Sequence, residues 1–341
     1  MQLVLTQDMR EAAVDAILAA LGHAPKTMHP AAAEFGDTPL SNIAAMCGQT
    51  GSASNTDRRY VVSRGISTGD FGSIVAGAAH TFAVRRYEKS ASHLAFTGTI
   101  EAKDFRPVDI ADISIATTLQ QVGELGEVQP GRVTMNNAST GHLLNYANNL
   151  IFSRELVIND QDSLVQTALV AYGAAAAKTE AKLVYAALRE NPSLSDGMPV
   201  FHAEFGNLLT GPFSGVALSA ALSALRRGMT MQDDDMSDLD AAHLVVSSGM
   251  ELACRQILFG AGLSEKIRVT ATAYLPDGEW FLLPDADIQP VVSVIRLAGT
   301  KKPVRLEPQK TPVNVDGFTI RAGADLGAAM VSRHAIRGVA E

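Results

Sequence analysis

The chain has 341 residues, of which 47% are hydrophobic and 19% charged, which excludes wholesale disorder and allows one elaborate domain or two to three smaller ones. A formal net charge of -8 excludes a general basic surface for gripping nucleic acid, so any contact with DNA is expected to be loose. No apolar run reaches bilayer length, the first 22 residues read as an acidic amphipathic segment unlike a signal peptide, and Cys47 and Cys254 lack metal-like spacing; the expectation is a soluble protein made in a reducing cytosol, with no membrane contact and two buried free thiols.

In chain order, residues 6–21 read as a short helix with Met9, Ala13, Ile17 and Leu21 on one side, ended by Gly22. Residues 23–59 are rich in Ala, Gly, Pro, Ser, Thr and Asn, with one weak helical pattern over 40–47. That composition suits an arm lying over a partner. A short apolar run, 60–62, precedes helical spacing over 70–86, where Phe71, Ile74, Val75, Ala78, Ala79 and Phe82 share a face. Residues 95–115 turn strand-like, with Phe96, Ile100, Phe105, Val108, Ile110, Ile113 and Ile115 set among polar residues.

The character then changes. Residues 117–149 carry Gly123, Gly126, Gly131 and Gly141, the turn signal Pro130-Gly131 and polar alternation around Val133, Met135, Leu144 and Tyr146. So few large apolar side chains cannot build a core, and an isolated hairpin is marginal in water. A long two-stranded projection that finds its partners on a neighbouring subunit is expected.

Residues 162–189 read as one unbroken helix about 40 Å long at 1.5 Å per residue. Val165, Leu169, Tyr172, Ala176, Thr179, Leu183 and Ala187 recur at three or four along one face, and Asn191-Pro192 stops it. Small Ala side chains let other backbones approach, so this helix is expected to act as a girder. A loop-rich stretch, 191–215, follows. Helices are expected over 216–228 and 250–258, and strands over 243–246, 267–273, 279–283 and 291–297. Near the end, Val313, Val315, Phe318 and Ile320 flank the hairpin signal Asp316-Gly317, with a last strand over 328–336.

Gly65-Ile66-Ser67-Thr68-Gly69 matches the nucleophile elbow of serine hydrolases, with His243 or His334 as a later base. The elbow needs a parallel sheet around it, and the same residues serve equally as a helix entry capped by Ser67, Thr68 or Asp70. The acidic run from Asp233 to Asp240 lacks the Gly and Glu of a calcium loop and reads as a solvated turn. His202 and Glu204 have no second ligand pair at a supporting spacing. No metal and no cofactor is expected.

Taken in order, a larger set of residues resembles tailed-phage major capsid proteins of the branch associated with ClpP-like prohead proteases. It comprises Ser67-Thr68 with Asp70-Phe71; Asp104 through Val108; Val122-Gly123-Glu124 with Gly126-Glu127; Ile151 through Glu155 with Ile158-Asn159-Asp160; Ala174 through Ala177; and Leu183-Val184-Tyr185. It continues through Asn191-Pro192, Ser195-Asp196-Gly197, Phe201-His202, Gly206-Asn207-Leu208, Val315-Asp316-Gly317, Ile320-Arg321 and Asp325-Leu326-Gly327. The resemblance covers roughly 67–336, leaving the first sixty residues unmatched.

It implies an α+β chain with the Hong Kong 97-type capsid fold: an N-terminal arm over 1–60, a first peripheral part over 61–108 and an extended β-hairpin loop over 109–148. A peripheral domain with spine helix 162–189 spans 149–211, an axial domain 212–300, and C-terminal strands 301–341. It also implies a structural protein, not an enzyme, made in the host cytoplasm and residing in the virion capsid. Pentamers and hexamers would close into an icosahedral shell around double-stranded DNA, with a portal, a scaffold or a prohead protease, and a decoration protein among the partners.

An acidic container also avoids an electrostatic grip that would oppose packaging and release. No protease sequence precedes Met1 and no long charged scaffolding segment is visible, so scaffold and protease are expected to be separate proteins or absent. Residues 117–149 contain no Lys, so no covalent cross-linking through them is expected. Glu124, Glu127, Arg132, Arg154 and Glu155 are the expected intersubunit charge pairs. Two alternatives stay open: an encapsulin-like bacterial compartment with the same fold, and a serine hydrolase using Ser67.

Overall fold

The computed structural model describes residues 6–20, 27–35, 39–48, 58–66, 69–115, 133–159, 162–227, 238–300, 302–309 and 317–340. Helices α1 (Gln7–Ala20), α2 (Pro39–Gly48), α3 (Arg58–Ile66) and α4 (Gly69–Ser90) lead into strands β1 (Gly98–Ala102), β2 (Val108–Ile115), β3 (Val133–Gly141) and β4 (Leu144–Ser153). A short α5 (Arg154–Ile158) and the long α6 (Asp162–Glu190) follow, then β5 (Leu208–Thr210), α7 (Gly215–Arg227), β6 (Ala241–Ser247) and α8 (Glu251–Gly260). Strands β7 (Arg268–Thr272), β8 (Glu279–Pro284), β9 (Val292–Leu297), β10 (Val304–Gln309), β11 (Gly317–Met330) and β12 (Ile336–Val339) complete the chain. The mixed α+β class expected from the sequence holds. No helix of the described residues is long and apolar enough to cross a membrane.

The chain divides into two compact units. The first comprises Met1–Ala91, Asn145–Lys178 and Lys301–Asp325. Its core joins Ala12, Ile17, Phe35, Leu40 and Ile43 from the N-terminal helical region to Phe71, Ile74 and Phe318. Phe71 meets Phe318 edge-on at 5.2 Å, and Phe152 stacks on Phe318 at 5.0 Å. Residues 7–20 form the helix expected there, and the described residues of 23–59, expected as an arm lying over a partner, are largely helical as well and contribute to a core. Their apolar residues fall at helical spacing, and small Ala side chains let the helices pack closely.

Residues 60–62, expected as a short apolar run before the elbow, lie inside α3, so the chain enters Gly65 as helix. A Cβ on Gly65 would overlap the Ala44 carbonyl. This glycine thus serves a close crossing of α2 and α3, which is the physical reason for a Gly in that motif. The β10–β11 pair is antiparallel from Val304↔Ala324 to Gln309↔Thr319. The hairpin expected around Asp316-Gly317, with Val313 and Val315 on its first strand, falls partly on residues 310–316, which lie outside the described set, and Gly317 already opens β11.

The second unit comprises Ser92–Leu144, Thr179–Thr300 and Leu326–Glu341. Its main sheet runs β5-β12-β8-β6-β7 among the described residues. Alternation along β6 and β8 serves two cores. Leu244, Val246, Trp280 and Leu282 pack with Leu218 and Leu225 of α7 and Cys254 and Leu258 of α8. Val245, Phe281 and Leu283 pack with Phe96 and with Val184, Tyr185 and Leu188 of α6. Strand β9 belongs elsewhere, pairing in parallel with β1 from Gly98↔Ser293 to Ala102↔Leu297 and antiparallel with β11 through Gly327↔Ile295. The last strand expected over 328–336 resolves into the end of β11 and a separate β12.

Helix α6 has 29 residues, close to the expected span. Asn191 takes φ 48° and its side chain clamps the backbone of Phe201 at 2.7 and 2.9 Å, ending the helix with Pro192. The buried face differs from the expected one. Leu169, Gly173, Ala177, Glu180, Ala181, Val184, Tyr185 and Leu188 are buried, whereas Tyr172, Ala176, Thr179, Leu183 and Ala187 are half-buried. Gly173 explains the rotation: a Cβ there would overlap the Ala83 carbonyl of α4. In the first unit, the closest backbone approach therefore sets the helix orientation.

Candidate assembly site

The hairpin begins at paired strands. β2 and β3 run antiparallel from Val108↔Gly141 to Ile115↔Val133, with a register shift between Ile110 and Asp112. Its root is anchored within the second unit: the Ser139 hydroxyl donates to the Met330 carbonyl, and a Cβ on Gly141 would run into Ile295 and, at 3.0 Å, Ala329. Glu124, Glu127 and Arg132 lie outside the described residues, as do the turn signals between them. Arg154 and Glu155 open α5, where Arg154 is half-buried and Glu155 exposed in the first turn. A carboxylate there complements the helix dipole.

Buried charges stiffen the body. Glu180 has no exposed surface, and its carboxylate accepts from Arg296 and contacts His93 Nε2 at 2.9 Å. Arg333 donates two hydrogen bonds to Asp196, each 2.7 Å, while its guanidinium lies 4.4 Å over the Phe205 ring. Those bonds hold the Asp196 carboxyl below its ordinary pKa. Glu279, also buried, meets Arg337 at 2.6 Å and Arg189 at 3.4 Å. In the first unit, Asp325 accepts from Asn145 at 2.6 Å and from Arg305 at 2.8 Å. Such pairs cost much to break once buried. The phase of Glu180 with Gly173, Ala177 and Val184, and a lone Arg296 inside apolar β9, are the sequence signals that could have located it.

The catalytic and metal candidates do not form a site among the described residues. Ser67 lies outside them. His243 is buried on β6 with Phe96 6.3 Å away, and burial, aided by Arg268, lowers its pKa. His334 follows Arg333 in the β11–β12 connection. His202 Nδ1 accepts from the Glu204 amide at 3.3 Å, a turn-capping role. Asp240 binds Arg226 at 2.6 Å, and residues 233–237 lie outside the described set. No His, Cys, Asp and Glu grouping suited to a metal occurs among the described residues. Cys47 and Cys254 are both buried.

The family sequence model described as phage capsid protein matches residues 139–339, from the end of β3 to β12. No curated protein matches the chain. Among solved structures, a virus-like particle from Pyrococcus furiosus is similar at 13% identity, with 78% of this chain and 98% of that one covered and a TM-score of 0.49. A phage-related protein from Bordetella bronchiseptica is 11% identical over 77% and 96%, TM-score 0.48. The capsid of Myoviridae phage XM1 is 10% identical over 74% and 92%, TM-score 0.46.

Proposed function

The chain belongs to the phage capsid protein family, and from that premise we propose that it is the major capsid protein of a tailed phage, building an icosahedral head of the Hong Kong 97 type around double-stranded DNA. The observation that carries the reading is the family match, which spans more than half of the chain and parts of both compact units. The long α6 and a hairpin rooted at Gly141 supply what a shell subunit needs: a stiff body and a projection that reaches a neighbour. In this reading 109–148 is the extended loop, 149–211 with α6 the peripheral domain and 212–300 the core of the axial domain. The helices before residue 60 strengthen the subunit body.

Copies assemble as pentamers and hexamers, aided by a portal and by scaffold or protease proteins. Glu124, Glu127, Arg132, Arg154 and Glu155 supply charge pairs between copies. Each exposed pair contributes only about 0.2–1 kcal/mol, and closed symmetry repeats it across the shell. The chain works by packing and carries no catalytic centre. The test is nuclease protection: particles made with the other head genes of the phage should hold double-stranded DNA that resists added nuclease. Particles holding an enzyme and no DNA would point to a bacterial compartment and overturn the proposal.

A further inference from the structure

Helix α4 is charged unequally along its length. Its N-terminal end lies against α1, where Asp8 and Glu11 are exposed and Arg10 is taken up by Asp70 at 2.6 Å. At its C-terminal end Arg85, Arg86 and Lys89 are exposed, while Ala83 and Tyr87, buried in the core of the first unit, fix the rotation of the helix. At 3.6 residues per turn the three cations share an arc of about 100° over about 6 Å of helix axis. Glu88, the one carboxylate of these last two turns, is engaged by Lys302. Arg85, Arg86 and Lys89 have no ion-pair partner among the described residues. The helix dipole accounts for a cation in the last turn, which is Lys89. Arg85 and Arg86 stand before that turn, where the dipole has faded.

We propose that, in the shell of the reading above on which this rests, the C-terminal end of α4 is the surface through which each copy touches the packaged double-stranded DNA, by its phosphates. Charge complementarity selects the occupant. A duplex presents one negative charge per about 1.7 Å, so about three or four lie within the span of the cations. The two arginines add planar, paired donors that match phosphate oxygens. A duplex is also a continuous polyanion, able to serve this patch on every copy at once. In a chain of net charge -8 such a patch is local, and three phosphate contacts per copy give a weak, sequence-independent and salt-sensitive hold that packaging can override.

The experiment titrates the purified full-length chain with a short DNA duplex by fluorescence anisotropy at several salt concentrations. Wild type should bind with a slope of log affinity against log salt of about -2.7, that of three phosphates. The variant R85Q/R86Q/K89Q should lose at least ~10-fold in affinity at low salt and flatten that slope. K103Q/K266Q/R268Q, which removes three exposed cations of the second unit, should bind as wild type does. Both variants should keep their far-ultraviolet circular dichroism, because the side chains are solvent-exposed. A second readout lies in the particle made with the other head genes: Lys89 should react with an amine-directed acylating reagent in empty heads and be protected in DNA-filled ones. Wild type that binds no duplex, equal losses in the two variants, or equal acylation of Lys89 in empty and filled heads would overturn the proposal and leave the shell reading intact. An α4 variant that binds duplex as wild type does but forms no shells would assign this surface to a protein partner and overturn it too. Failure of wild type to form shells would sink the shell reading itself, and this proposal with it.

Discussion

Glu180 lies fully buried against Arg296 and His93, and removing its charge would strand the Arg296 guanidinium away from water. Glu180→Gln should lower stability by about 3–5 kcal/mol, read as a reduced urea midpoint. At Asp196 the argument concerns pH. Its pKa lies below the unfolded value because Arg333 hydrogen-bonds the ionised form. The resulting stabilisation is therefore complete above the ordinary carboxylate pKa and drains away as pH falls through the depressed one. Asp196→Asn should consequently cost stability at pH 7 and progressively less below pH ~4, a convergence that urea titrations at both pH values would detect. Burial pushes the Cys254 thiol up to about 11, so in native protein at pH 8 it should resist alkylation until denaturant is added. Mass spectrometry of iodoacetamide-treated samples checks this.

At the scale of elements, α6 and the β2–β3 hairpin define the architecture. Helix α6 crosses α4 at Gly173 on Ala83, where a larger side chain must push two backbones apart. Gly173→Val should destabilise by about 1–3 kcal/mol or more, seen as a lower melting temperature. The ends of α6 are legible in the sequence because Asn191-Pro192 is a strong stop and alanines sustain the pattern up to it. Its buried face is less legible, since periodicity weights bulky side chains, whereas here a glycine contact with another helix sets the rotation. The same blindness hides the packing over 23–59, where Ala32 and Ala44 fill core positions in a stretch whose small-residue composition reads as an arm. Strands β6 to β8 are legible from β-branched and aromatic runs. The placement of β9 beside β1 is not, because strand pairing across about two hundred residues leaves no local mark. For the hairpin, replacing residues 116–132 by Asn-Gly keeps the Ile115↔Val133 pair and suits a tight hairpin turn. That variant should fold and fail to assemble, as electron microscopy would show; normal shells would remove the loop from the assembly account.

For the whole molecule, the two compact units give each copy hydrophobic cores of its own, while large apolar side chains such as Leu252 and Phe259 remain in solvent. Net negative charge suits a wall that must surround DNA without adhering to it. Of the assembly residues chosen from sequence, Arg154 and Glu155 are placed at the start of α5; charge pairs between subunits leave no pattern in a single chain, which is why the candidates are simply charged residues in and just after the expected loop. The central claim is that identical copies complete one another around a hollow centre. Sedimentation velocity of the purified protein across a wide concentration range tests it most directly. The account predicts a discrete particle of megadalton mass made of 36.0 kDa subunits; a single boundary at subunit mass under every condition would contradict it.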